Sequence, residues 1–294
     1  ITFRGTLDGN GKTISNLTIY PTSSYTSYIG IFPQMEGRSV YNLVLSNVET
    51  DVYSFYSSIV PGLITGRVIG STNTISDITI VDSGVRGTSS TGTGGLVGAV
   101  ENYSTVLNID NVKAINLKVF STTSYVGGII GSINDSGVEV NLSDIDISGE
   151  VSSMTSSSYT GGIIGKITNG AYFNLQRAIV DMGSQNTLET YYSYYNHYSE
   201  RYLGGFIGYN QSTSDKVILD HVFFTGSLVT DSSRRSYYIG TAIGRSSGSE
   251  TMNETYYSQV LYRDSNGSIT YYPSFSPRGV MATMVNASTM PSVA

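Results

Sequence analysis

The sequence predicts an all-β chain wound as a right-handed parallel β-helix, a β-solenoid of about seven to eight coils of about 33 residues each. Three observations predict it. A glycine motif returns at a near-constant period. A second apolar–polar pattern returns between its copies with the same period. No segment sustains the 3.6-residue repeat of an amphipathic helix, and glycine and β-branched residues fill every unit.

The glycine motif is two small or apolar residues, two apolar residues and a glycine. It reads Gly94-Gly95-Leu96-Val97-Gly98, Gly127-Gly128-Ile129-Ile130-Gly131, Gly161-Gly162-Ile163-Ile164-Gly165 and Gly204-Gly205-Phe206-Ile207-Gly208. Weaker copies are Gly62-Leu63-Ile64-Thr65-Gly66 and Gly240-Thr241-Ala242-Ile243-Gly244, and the first copy, Gly30-Ile31-Phe32-Pro33, ends on proline. The closing positions are 33, 66, 98, 131, 165, 208 and 244, so the steps are 33, 32, 33, 34, 43 and 36 residues. Between them lie strands of alternating apolar and polar residues, anchored at Leu43, Ile78, Val112, Ile145, Ala178 and Val222, which keep nearly the same steps, the long one included. Stacking each short strand on its copy in the next unit gives parallel pairing and inward apolar ladders. At about 4.8 Å per coil the rod is about 35–40 Å long. Residues 1–250 form the repeat domain, and residues 251–294 are expected as a capping segment of the same domain.

Composition narrows the function. Of 294 residues, 39% are hydrophobic and 13% charged, which excludes a disordered chain. A net charge of −6 provides no basic face for nucleic acid. Apolar runs are about five residues, too short to span a membrane. Cysteine is absent, so no disulfide or thiolate metal site holds the fold. The chain starts at Ile1 and reads as a piece of a longer protein.

The repeats resemble the GLUG-motif family, named for its Gly-Leu-any-Gly core. Phe3-Arg-Gly-Thr-Leu-Asp-Gly-Asn-Gly-Lys-Thr-Ile-Ser-Asn-Leu-Thr-Ile19 is similar to the opening of such domains. Tyr256-Tyr257-Ser258 followed by Ala282-Thr283-Met284 is similar to the segment that closes them. The resemblance covers nearly the whole chain. It implies an extracellular or cell-surface repeat module, as found in adhesins and in non-catalytic parts of surface peptidases, and no particular reaction. Partners implied are sister subunits, neighbouring domains or glycans, and no cofactor is expected.

Several residue sets compete as sites. Asn16, Asn42, Asp77, Asn111 and Asp144 each precede a strand anchor, and the column continues as Arg177 and His221. Stacked Asn and Asp side chains satisfy turns along a rod, which is the structural reading. The functional reading is an acid–base or Ca²⁺ site at Asp77, Asp110, Asp144 and Asp146, but Ca²⁺ needs about six to eight oxygens at one point and a single file does not converge. Asp144 beside Arg177 is expected as a cross-coil ion pair. Tyr125, Tyr159, Tyr202 and Tyr238 lie six residues before their closing glycines, forming an outward stack that either stiffens the rod or offers a platform to sugar rings or a sister subunit. The coil ending at Gly208 is about ten residues too long, near Tyr191, Tyr192, Tyr194, Tyr195, His197 and Tyr198, and an insertion in a solenoid is commonly a binding loop. Sequons occur eight times, and Asn102, Asn134, Asn210 and Asn266 sit in expected turns, where N-glycans attach.

Catalysis finds little footing. The chain has two histidines, no zinc-binding His-Glu-any-any-His, and acids scattered coil by coil instead of paired across a cleft. The expected function is a structural or adhesive extracellular module. The alternatives are a subunit of an extracellular filament and a carbohydrate-active β-helix enzyme.

Overall fold

The computed structural model describes residues 1–21, 27–52, 59–122, 125–154, 158–190, 201–213, 216–230, 237–258, 261–263, 269–271 and 279–285, with 183–190, 201, 230, 237, 261–263 and 269–271 described by their backbone alone. Among these residues the regular structure is all β. Successive coils stack in parallel as a right-handed β-helix.

Each full coil has three faces. The glycine face is an eight-stranded sheet running from Thr2–Phe3 through Val97–Val100 and Ile164–Ile167 to Ile243–Ser246. The tyrosine face is a five-stranded sheet from Thr93–Gly94 to Tyr237–Gly240. The long face is a twelve-stranded sheet whose main path runs from Thr6–Ile19 through Ser39–Asp51 and Val106–Ser121 to Glu250–Tyr257.

The long strands are not straight. They turn two corners; the first in every coil, and the second in four of them, is set by one residue in the left-handed backbone region. The first corner is the column Gly11, Asn42, Asp77, Asn111, Asp144, Arg177, His221 and Glu254, with φ between 41° and 65°. The second holds Asn16, Asn47, Asp82 and Asn116, with φ from 47° to 55°. Asn and Asp tolerate this conformation because their short polar side chains bond locally. A left-handed residue also resets the inward–outward alternation. In Ser39–Asp51, Val40, Leu43, Leu45, Val48 and Thr50 are buried, and the pairs Tyr41-Asn42 and Ser46-Asn47 both point outward. Asn16 is therefore misplaced in the expected column. Leu17 pairs with Val48 and Lys12 with Leu43, so Asn16 stands at the second corner and Gly11 takes the first.

Inside, one apolar cluster extends from Met35 to Tyr257. Its ladders follow the pairing, for example Leu45–Ile80–Ala114–Ile147–Val180–Phe224 on the long face. On the glycine face, the pairings Val97–Ile130–Ile164–Ile207–Ile243 are all buried. Phe206 and Phe224, both 0% exposed, meet edge-to-face at 6.2 Å within one coil.

The paired glycines let the backbones of neighbouring coils touch. A methyl group at Gly128 would run into the carbonyl oxygen of Gly162, and one at Gly162 into that of Gly205. Glycine supplies that close approach, so the motif is architecture. The period-breaking coil places part of its extra length at the second corner. Met182 pairs with Gly226 and Thr187 with Ser227, so residues 183–186 form a bulge and register then resumes.

At the C-terminal end, stacking continues past residue 250. Glu250–Tyr257 lies parallel on Val217–Thr230, and Thr283–Met284 pairs with Tyr256 and Tyr257. Val280 adds an antiparallel bridge to Ile243 and Met281 packs on the core, so segments beyond 250 both extend and close the stack.

Candidate functional site

The corner columns resolve into cross-coil pairs. Asn42 Nδ2 donates to Asp8 Oδ1 at 3.3 Å, and Asn111 Nδ2 to Asp77 Oδ1 at 2.7 Å. Arg177 donates through Nε and Nη2 to both oxygens of Asp144, at 2.7 and 2.6 Å. His221 Nε2 lies 3.2 Å from Glu254 Oε2 and its Nδ1 lies 3.0 Å from Asp220 Oδ1. The second corner does the same: Asn47 Nδ2 donates to Asn16 Oδ1 at 2.8 Å, and Asn116 Nδ2 to Asp82 Oδ1 at 2.7 Å. The carboxylates considered for Ca²⁺ are each engaged by a different neighbour: Asp77 by Asn111, Asp110 by the Ser143 hydroxyl, Asp144 by Arg177 and Asp146 by Lys113 at 3.8 Å. Among the described residues no three His, Asp or Glu side chains gather where they would hold a metal ion.

Hydrogen bonding from Arg177 holds the Asp144 carboxyl below the ordinary carboxylate range, against a smaller opposing effect of burial. A lowered folded-state value makes the pair stabilising above the unfolded pKa of about 3.9 and loses that stabilisation as pH falls through the folded value. The side chains are 46% and 48% exposed, so the contribution is under about 1 kcal/mol. Asp144→Asn is expected to lower the urea midpoint slightly at pH 7 and in low salt. The difference from the parent should shrink as the pH drops below about 4. A difference that persists at pH 2 would contradict this account.

The tyrosine column is a packed seam. Tyr125 stacks on Tyr159 at 5.0 Å, Tyr159 on Tyr202 at 4.7 Å, and Tyr238 meets Tyr202 edge-on at 5.3 Å. The residues one after each closing glycine come to meet them. Lys166 Nζ lies 4.7 Å over the Tyr125 ring, and Tyr209 is edge-on to Tyr159 at 5.1 Å and to Tyr202 at 4.8 Å. The Arg245 guanidinium sits 5.1 Å from the Tyr202 ring and 4.9 Å from that of Tyr238, and donates to the Tyr202 hydroxyl. Tyr202 is only 3% exposed. A sugar ring has no face of Tyr202 to lie on, so of the two readings that position fits the stack that stiffens the rod, here sealed by a guanidinium, and not the platform. Tyr125, Tyr159 and Tyr238 remain half-buried.

A similar cation–π contact nearer the N-terminus involves a residue the sequence reading missed. Tyr28 lies under the Arg67 guanidinium at 5.0 Å. Arg67 Nε pairs with Glu101 Oε2 at 2.7 Å, and Asn134 Nδ2 donates to Glu101 Oε1 at 3.1 Å. Burial first, and then the Glu101 charge, push the Tyr28 phenol up. Arg67, Lys166 and Arg245 each follow a closing glycine, which is the signal that locates them in sequence.

The sequons separate by exposure. Asn102 is exposed, with φ of 72°, and its side-chain oxygen accepts from Arg67 Nη2 at 3.3 Å. Asn134 is half-buried and bonded to Glu101. Asn210 is corrected as an acceptor: it is 0% exposed, donates to Ser246 Oγ at 3.1 Å and accepts from Ser212 N at 2.9 Å, leaving no room for a glycan. Asn266 lies outside the described residues, as do Tyr191, Tyr192, Tyr194, Tyr195, His197 and Tyr198.

One groove opens along the second corner. It has a volume of about 310 Å³, and its rims carry Asn47, Asp82 and Asn116 on one side and Arg86 and Phe120 on the other. The sequence reading missed it because the emptiness is made by Gly84, which sits in register between Glu49 and Lys118.

No protein-family model matches the chain, and comparison with curated proteins gives no match. Among solved structures, the chain is similar to the crystal structure of a putative immunoglobulin A1 protease from Bacteroides ovatus, at 15% sequence identity and a TM-score of 0.50. The similarity covers 95% of this chain and 68% of that one. At this identity it is a likeness of fold: a parallel solenoid along nearly the whole chain.

Proposed function

We propose that the chain is a structural or adhesive solenoid module of a larger secreted or cell-surface protein, without catalytic activity of its own. The observation that carries this reading is how the described ionisable side chains are used. Asp144 is clamped by Arg177, Glu101 by Arg67, Glu254 faces His221, and Arg245 and Lys166 cover tyrosines. Each joins one coil to the next, and such a pattern supports a rod whose outer chemistry maintains its length. The GLUG-type repeat gives the same expectation of an extracellular module. Among the described residues no helix is long and apolar enough to cross a membrane.

The enzymatic alternative is tested directly. Incubated with immunoglobulin A1 and with a panel of polysaccharides, the purified chain should release no fragments. Beads coated with it should adhere to cells or to a glycan-coated surface. Cleavage of any of these substrates would overturn the non-catalytic reading, and beads that adhere no better than uncoated ones would overturn its adhesive half.

A further inference from the structure

We propose that the groove at the second corner is a binding site for a neutral oligosaccharide, an inference that rests on the adhesive reading above and assigns its ligand and its place. The groove exists because Gly84 has no side chain. Its strand neighbours in register are Glu49 on one side and Lys118 on the other, so a gap two strand spacings wide, about 9–10 Å, opens over it. A methyl group on Gly84 would come within 2.9 Å of the Lys118 carbonyl oxygen. The floor is firm: Ser83 Oγ accepts from Val48 N at 3.0 Å and donates to Val81 O at 2.8 Å. A site whose floor is satisfied internally loses little freedom when it is filled.

The chemistry of the rims selects the ligand. Two carboxylates, Glu49 and Asp82, face two cations, Arg86 and Lys118, so the formal charges of the lining cancel. An anion such as phosphate or an acidic peptide meets Glu49 and Asp82, and a metal ion meets Arg86 and Lys118. A neutral ligand rich in hydroxyls meets no repulsion. Asn47, Asp82 and Asn116 sit on three successive coils and present amide and carboxylate groups, which between them both donate to and accept from hydroxyls. Asn116 already orients the Asp82 carboxylate at 2.7 Å, and Arg86 Nη1 reaches Asp51 Oδ2 at 3.4 Å, which fixes the rim. Half-buried Phe120, in register beside Arg86, adds apolar surface to the end of the groove. A volume of about 310 Å³ is at the lower end of small-ligand sites and suits a mono- or disaccharide unit. Because the polar column follows the rod axis, a longer glycan would lie lengthwise, successive sugars meeting successive coils.

The test uses the full chain, an array of neutral and anionic glycans, and calorimetric titration with the best neutral oligosaccharide found, with heparin, inorganic phosphate and Ca²⁺ as comparison probes. A neutral oligosaccharide should bind and the comparison probes should not. Phe120→Ala and Asn116→Gly, the latter keeping the left-handed backbone, should each weaken binding at least tenfold with circular dichroism unchanged. The isosteric Glu49→Gln should weaken it without altering thermal stability, and Tyr103→Ala, at an exposed residue outside the groove, should leave it as it was. Binding of a neutral glycan that none of the three groove substitutions alters would overturn the site while leaving the adhesive reading in place. Binding of heparin or phosphate in preference to every neutral glycan would overturn the ligand class. Adhesion of coated beads combined with silence across the neutral array would also remove the proposal and leave the adhesive reading standing.

Discussion

Replacing Gly162 with alanine is expected to cost about 3 kcal/mol or more, at or beyond the upper end of what an overpacked methyl group does to a core. The reason is the identity of what the methyl meets. Its first neighbour is the carbonyl oxygen of Gly205 on the next coil, with Val180 Cγ1 at 2.7 Å behind it. Side chains move aside cheaply, and a carbonyl locked between coils does not. Gly162 N donates to Gly204 O at 3.3 Å, so displacing the strand strains that bond as well. The two weaker copies that flank this column carry Leu63 and Thr241, so within it the close backbone approach belongs to Gly95, Gly128, Gly162 and Gly205. Urea unfolding followed by circular dichroism measures the effect. Gly11→Asn is the matched control. Gly11 has φ of 65°, its nearest foreign atom is Asn42 Oδ1 at 3.8 Å, and the same column holds Asn42 one coil on, so stability should change little. Equal midpoints for Gly162→Ala and the parent would refute the close-approach account.

Phe206→Ala is expected to lose about 3–5 kcal/mol. The ring is fully buried, packs edge-to-face on Phe224, and occupies the coil just below small Ala242. Truncation leaves a void bordered by a methyl group, and the hydrogen bonds Phe206 N to Ala242 O at 3.0 Å and Ile163 N to Phe206 O at 3.0 Å hold the coils apart so that it stays open. A stack in which each coil touches only its neighbours transmits such damage unevenly. Denaturant unfolding should therefore show a lower midpoint and a shallower slope, as the coils beyond residue 206 melt ahead of those before it. A loss below about 1 kcal/mol would mean the site collapses and the void was never made.

The solenoid was legible because its determinants are local and repeat. The closing glycines at 66, 98, 131, 165, 208 and 244 all lie within or beside the glycine-face strands, and the apolar ladders follow from the pattern Val40, Leu43, Leu45. The corner residues were legible where Asn or Asp marks them. Asn16 falls into the wrong column on sequence alone because Asn16-Leu17-Thr18-Ile19 looks like Asn42-Leu43-Val44-Leu45. The discriminating signal is the five-residue step between corners, 11 to 16, 42 to 47, 77 to 82 and 111 to 116. What sequence alone withheld was depth. A tyrosine at the right period looks the same whether its ring faces solvent or a guanidinium, and only the facing sheet puts Arg245 over Tyr202. Asn210 similarly carries a correct sequon in a fully buried place. The groove was hidden for the opposite reason, since it is created by a side chain that Gly84 lacks.

The bulge at residues 183–186 has a consequence for how such a rod tolerates change. Pairing is regular up to Met182 on Gly226 and regular again from Thr187 on Ser227, and on the other neighbour Val151 meets Leu188. Extra chain is thus absorbed at a corner, and every coil beyond it keeps its partners. Length and composition become separable variables in this architecture: a corner takes in extra residues without disturbing the stack, while the faces between corners require side chains that fit the ladder.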